Sequence, residues 1–248
     1  MFVAYMEGKE WFESWFDSPY YHLLYSNRDE KEARQFISKL IDHLSPSKDD
    51  YILDLACGKG RHSIYLNELG YKVDGLDYSE NNISMAKRSE NERLHFFRHD
   101  MREPLPKNDY DLILNLFTSF GYFDSDEEHE LCLKHVANGL IKGGMFIMDF
   151  MNVHFVSSEL KESELIERNG VSFQIEKEIS SAYIIKTIKF MDKGHVHEFC
   201  EKVRAFTKDE LIYLLEKVGF SIKELFGDYH LNDFDPDQSE RLIIVAEV

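Results

Sequence analysis

Between Asp29 and Leu44 the apolar residues Ala33, Phe36, Ile37, Leu40, Ile41 and Leu44 recur at helical spacing, and Pro46 follows as a stop. The pattern then shortens. YILDLA (51–56) is an apolar run that ends in Cys57, Gly58, Lys59 and Gly60, and Ile64, Leu66 and Leu69 begin a helix closed by Gly70. The same unit returns as YKVDGLD (71–77), a helix from Ser79 to about Ser89, and LHFFRHD (94–100). DYDLILNLF (109–117), a helix over 126–140 and GGMFIMDF (143–150) complete five strand segments. Strands alternating with helices imply right-handed crossovers and a parallel sheet covered on both faces.

After Asn152 the period changes. VSFQIEKEI, AYIIKTIKF and HVHEFCEKVRAF (within 171–206) are β-rich and separated by Ser180-Ser181 and Asp192-Lys193-Gly194, the spacing of antiparallel hairpins extending from the sheet. Thr207 and Glu210 form a capping-box pattern for a helix to about Val218, and SIKELF (221–226) and RLIIVAEV (241–248) read as closing strands. The expected fold is therefore a single α/β domain. It has a Rossmann-like, mostly parallel seven-stranded sheet with helices on both faces, an N-terminal helical lid (1–48), a core (49–152), an antiparallel β insertion after the fifth strand (153–206) and the end of the core (207–248).

Composition narrows the class. Of the 248 residues 43% are hydrophobic and 14% aromatic, enough for a packed interior. The net charge is −17, and residues 1–50, 51–150, 151–206 and 207–248 carry −4, −6, −1 and −6. No segment is basic, which argues against a nucleic-acid partner. MFVAYMEGKEW turns acidic before a signal-peptide core can form, no apolar run is long enough to span a membrane, and Cys57, Cys132 and Cys200 have no zinc or disulfide spacing. A cytoplasmic protein with reduced thiols is expected.

The chemistry gathers at the strand ends. Gly58 and Gly60 sit in a strand-to-helix turn, where bare backbone approaches a ligand beside a helix N-terminus. Ser63 stands where a dinucleotide fingerprint needs its third glycine, which weighs against a nicotinamide-dependent reductase. Asp54, Asp77 and Asp100 end three successive strands at the same sheet edge. Each alone reads as a helix cap or turn; together they suit a ligand rich in hydrogen-bond donors, with Asp77 placed for ribose hydroxyls and Asp100 for an adenine amino group.

Those residues carry a resemblance. ILDLACGKGRHS (52–63), GYKVDGLDYSENNISMAK (70–87), Asp100-Met101, DYDLILNLFTSFGY (109–122) and LIKGGMFIMDFMN (140–152) resemble the class I S-adenosylmethionine-dependent methyltransferases, in the branch that acts on small molecules. One departure is Ala56, where the family's turn has its first glycine and φ > 0 comes without strain. The resemblance implies S-adenosylmethionine as cofactor, with S-adenosylhomocysteine as product. Ala56, Gly58 and Gly60 would pass under its methionine part and Asp54 would steady the turn or meet the amino group. Asp77 would hold the ribose, Leu76 and Tyr78 would flank the adenine, and Asp100 and Met101 would close over it. Asn115 and Leu116 would form the floor under the sulfonium.

The implied function is methyl transfer to N or O of a small-molecule acceptor, with a catalytically silent cofactor-binding module as the alternative. No general base is assigned. Tyr20, Tyr21, Tyr122 and His154 are the acceptor-pocket candidates. His195 and His197 share a strand face, the geometry of half a metal site, but no third ligand is spaced to join them, so no metal is expected. The β insertion reads either as pocket wall or as a homodimer interface.

Overall fold

The computed structural model describes residues 11–26, 30–180 and 182–248. The signal-peptide reading of residues 1–10, Asp29 at the start of the first expected helix and Ser181 of the first hairpin break lie outside them.

Two short helices, α1 (Trp11–Phe16) and α2 (Pro19–Leu24), precede α3 (Glu30–Leu44). The core then alternates β1 (Tyr51–Leu55), α4 (Arg61–Glu68), β2 (Lys72–Asp77), α5 (Glu80–Ala86), β3 (Leu94–Arg98), β4 (Tyr110–Asn115), α6 (Asp126–Gly139) and β5 (Leu140–Met151). After α7 (Val153–Ser158) come β6 (Ser163–Arg168), β7 (Val171–Ser180), β8 (Tyr183–Asp192) and β9 (His195–Arg204). The chain then returns through α8 (Lys208–Lys217), β10 (Ser221–Phe226) and β11 (Arg241–Glu247).

The main sheet has seven strands in the order β10-β11-β5-β4-β1-β2-β3. The pairings from β5 to β3 are parallel, and β11 runs antiparallel between β10 and β5. Both faces are covered. The stripe Phe36, Ile37, Leu40 and Ile41 of α3 packs with Leu66 of α4 and Ile83 of α5 on one face. On the other lie Cys132, Leu133 and Val136 of α6 with Leu211 and Leu215 of α8. The caps are those the sequence signals. Ser79 accepts from the Asn82 amide, and Thr207 and Glu210 close a full capping box. Among the described residues no helix is long and apolar enough to cross a membrane.

Three expectations need correction. The fifth strand begins at Leu140, which already pairs with Tyr110, and a register shift before Leu112 absorbs Lys142, Gly143 and Gly144. The insertion contains a fourth strand, β6, whose SELIER sequence alternates with charges because an edge strand needs only backbone bonds to β7. The insertion also does not extend the main sheet. It forms its own antiparallel sheet, β6-β7-β8-β9. The inner face of that sheet buries Phe173, Ile175, Ile188 and Phe190 against Trp15 and Leu24, so it carries the first two helices.

Candidate active site

The carboxyl ends of β1, β2 and β4 and the residues just past β3 open on a cavity of about 420 Å³, within the range of small-molecule sites. Phe12 and Phe16 of α1 and Tyr21 of α2 line it from the other side.

The turn after β1 is the tightest element. Ala56, Gly58 and Gly60 take φ of 66°, 57° and 82°, so Ala56 adopts the left-handed conformation despite its Cβ. The two glycines serve different ends. A Cβ on Gly60 would fall 2.6 Å from the Phe96 ring, whereas one on Gly58 would meet nothing within 4 Å. Gly60 is thus required by packing and lies beneath the cavity, while Gly58 lines it.

Asp54 is buried and accepts from the amide (3.1 Å) and hydroxyl (2.5 Å) of Ser63 through Oδ2. Burial lifts its carboxyl to about 6 in spite of these bonds. Ser63, which breaks the dinucleotide fingerprint, is therefore the partner of Asp54. Asp77 accepts from the Gly58 amide (2.8 Å) and the Ser79 amide (2.9 Å), and burial again pushes its carboxyl up. The Ser79 hydroxyl also reaches Asp17, between α1 and α2, which ties those helices to the rim. Asp100 is gripped by a two-pronged Arg102, with Nη2 at 2.7 Å. Burial raises that carboxyl, and the Arg102 bonds outweigh it and hold it below the usual carboxylate range.

The floor is a strained pair. Phe117 and Thr118 both take positive φ, 59° and 58°. The Phe117 amide donates to Oδ2 of the fully buried Asp149 at 2.7 Å, and the Thr118 amide to the Asp149 carbonyl at 2.9 Å. Arg241 bonds Asp149 at 2.7 Å and donates to the Thr118 hydroxyl at 2.9 Å. His62 stacks on Phe117 at 5.1 Å, and burial together with the Arg61 charge keeps its imidazole neutral.

Most of the residues singled out from the sequence meet here, in the sense that Asp54, Ala56, Gly58, Leu76, Asp77 and Tyr78 line the cavity, as do Asp100, Met101, Leu116, Tyr21 and Tyr122. Asn115 is buried behind the wall, donating to the Leu55 carbonyl at 3.1 Å. Tyr20 and His154 are corrections. Tyr20 points from α2 to the small sheet, where its hydroxyl donates to Asp192 at 2.7 Å and its ring packs on Phe190 and His197. His154 is exposed and bonds Asp237 at 3.0 Å, outside the cavity. His197 stacks on Phe190, and no group of three or more His, Cys, Asp or Glu among the described residues is placed to hold a metal ion.

Several cavity residues were not marked by the sequence pattern, among them Phe12, Phe16, Asn82 and His99. Two of them are ionisable and come from outside the main sheet: His22, lowered to about 4 by burial and by the charge of Lys59, and Glu201, which reaches the cavity from β9. The signal for Glu201 was an acid in the same strand register as Phe199 and Val203.

Residues 52–144 match the family model described as a methyltransferase domain. The chain is 26% identical over 242 residues to the glycine/sarcosine N-methyltransferase of Aphanothece halophytica, covering 93% of this chain and 86% of the relative. Among solved structures it is similar to an S-adenosylmethionine-dependent methyltransferase from Clostridium acetobutylicum, with a TM-score of 0.77, 22% identity and coverage of 92% and 96% of the two chains. It is also similar to the sugar N-methyltransferase KedS8 from Streptoalloteichus, with a TM-score of 0.70, 18% identity and coverage of 92% of each chain.

Proposed function

Because this chain carries a class I S-adenosylmethionine-dependent methyltransferase domain, we propose that the cavity holds S-adenosylmethionine and that the enzyme transfers its methyl group to nitrogen or oxygen of a small-molecule acceptor. The observation that carries the reading is the convergence of the turn after β1 with Asp77 and Asp100 on one wall of the cavity. Gly58 brings backbone with open space above it, where a Cβ would meet nothing within 4 Å, and the two carboxylates offer acceptors to the hydroxyl and amino donors of an adenosyl ligand.

In this reading Ala56 and Gly58 pass under the methionine part, and Asp77 accepts from the ribose hydroxyls. Leu76 and Tyr78 flank the base while Asp100 and Met101 close it in. Leu116 and the Phe117–Thr118 pair form the floor toward the acceptor, which lies among Tyr21, Tyr122 and Phe16. When bound, the cofactor supplies a methyl group on an electrophilic sulfonium. The protein's part is to align a nucleophile and exclude water, which is worth about 7–11 kcal/mol of the barrier. The aromatic roof suits the second task, and an acid-rich chain of net charge −17 favours neutral or cationic acceptors over phosphate polymers. Calorimetry with S-adenosylhomocysteine tests the cofactor. Binding weaker than about 1 mM by protein with a normal thermal transition overturns the proposal.

A further inference from the structure

Resting on that reading and carrying it further, we propose that the acceptor is an amine, recognised as its ammonium by Glu201 within the aromatic end of the cavity; the ammonium gives one proton to solvent before the freed nitrogen lone pair takes the methyl group, and S-adenosylhomocysteine leaves. Three acids reach the cavity from the main sheet, Asp54, Asp77 and Asp100, whereas Glu201 reaches it from β9 of the small sheet. Its carboxylate is held in place on one side. Oε1 accepts from Trp15 Nε1 at 2.6 Å and from the Tyr25 hydroxyl at 2.7 Å. Oε2 takes only the longer limb of the Tyr25 bond, 2.9 Å, and stands 3.6 Å from Lys186 Nζ. A carboxylate offers about four acceptor positions, so Oε2 retains capacity for a further donor.

The cation already present, Lys186, is ion-paired with Oε2 at 3.6 Å and also donates to the Tyr25 hydroxyl. Lys186 approaches Glu201 from a neighbouring cavity of about 310 Å³, whose wall Glu201 shares, and Lys186 does not line the main one. On the main side Glu201 meets rings. Tyr21 lies 4.9 Å from Tyr25 and 5.0 Å from Phe16, and Phe16 lies 5.4 Å from Tyr122, centroid to centroid. Ring faces carry negative charge, so rings with one carboxylate attract a cation far more than a neutral hydroxyl. At this end an anionic acceptor group would meet repulsion from the carboxylate and the rings, while the cavity's own cations, Lys59 and Arg61, stand at the turn after β1 and the start of α4. An alcohol gains one hydrogen bond here; an ammonium gains the bond, the charge and the ring faces.

The test is calorimetric titration of protein saturated with S-adenosylhomocysteine, using matched probes: benzylamine against benzyl alcohol, and glucosamine against glucose. In at least one pair the amine should bind about tenfold tighter or better. Glu201→Gln, which keeps an acceptor for Trp15, should abolish that preference while leaving S-adenosylhomocysteine affinity unchanged, and Glu201→Asp should retain it. Native protein that shows no amine preference in either pair overturns the proposal, as does a folded Glu201→Gln variant that keeps it. If Glu201→Gln lacks a normal melting transition, the native comparison alone decides. Failure of native protein to bind S-adenosylhomocysteine is a separate result, which removes the methyl-transfer reading itself.

Discussion

Ser63 donates both its amide and its hydroxyl to a single oxygen of Asp54, at 3.1 and 2.5 Å, and so joins the first turn of α4 to the end of β1. The bonds only partly offset the cost of burying the carboxylate, whose pKa stands at about 6 against an ordinary value of 3.8.

This raised value fixes a pH dependence. The folded state holds the Asp54 proton more tightly than the unfolded state, so the stability this group contributes is full below pH 3.8 and is lost as pH rises through about 6. Asp54→Asn removes the titration and keeps an acceptor for Ser63. The stability of the variant relative to the native protein, from urea unfolding at a series of pH values, should therefore rise by about 2 kcal/mol between pH 4 and 7. A flat difference across that range means that Asp54 does not titrate there.

Ala56 holds φ at 66° with a Cβ. Replacing it by glycine should relieve the left-handed strain and raise stability by about 1 kcal/mol, after the added freedom of the unfolded chain is deducted. Thermal unfolding measures this. A lower melting temperature would show that the Ala56 methyl makes packing contacts worth more than the strain.

Asp77 has two duties, so its variants should separate. Asp77→Ala should weaken S-adenosylhomocysteine binding by about 1.5–3 kcal/mol in calorimetry, the range of hydrogen bonds to a charged group. It should also lower the melting temperature, because the Gly58 and Ser79 amides lose their acceptor. Asp77→Asn should be milder in both, since one acceptor oxygen survives. Unchanged affinity in both variants would remove Asp77 from the cofactor site.

Asp149 and Arg241 form an ion pair in which the carboxylate is fully buried. Asp149→Ala takes the buried carboxylate away from Arg241 and the acceptor away from the Phe117 amide, and should cost about 3–5 kcal/mol in urea unfolding. Adding Arg241→Met should recover part of the loss by removing the charge that lost its counter-ion. A double variant less stable than Asp149→Ala would mean that Arg241 acts through other contacts.

The main sheet was legible because most of its strands are short runs rich in apolar residues, several of them followed by a glycine turn or a helix cap. Much of the cavity wall followed, since a parallel sheet sends its strand-end acids to one edge. What the sequence concealed was set by angles and distant partners. Tyr20 and Tyr21 are neighbours in a helix and so point about 100° apart. One meets Asp192 and the other the cavity, and no periodicity in a six-residue helix distinguishes them. β6 has too few apolar residues to register as a strand, and Glu201 gains its place only when Trp15 and Tyr25 are brought to it across more than 170 residues of sequence.

The Asp149–Arg241 pair closes a span of 92 residues, and the whole small sheet is threaded between its two ends. Contacts of such separation are slow to form, because chain entropy must be lost before they return any stability. The parallel strands can therefore assemble before the loop beneath the acceptor is fixed. In refolding, recovery of ligand binding should lag behind recovery of helix and sheet, with docking of β11 as the event that makes the protein competent.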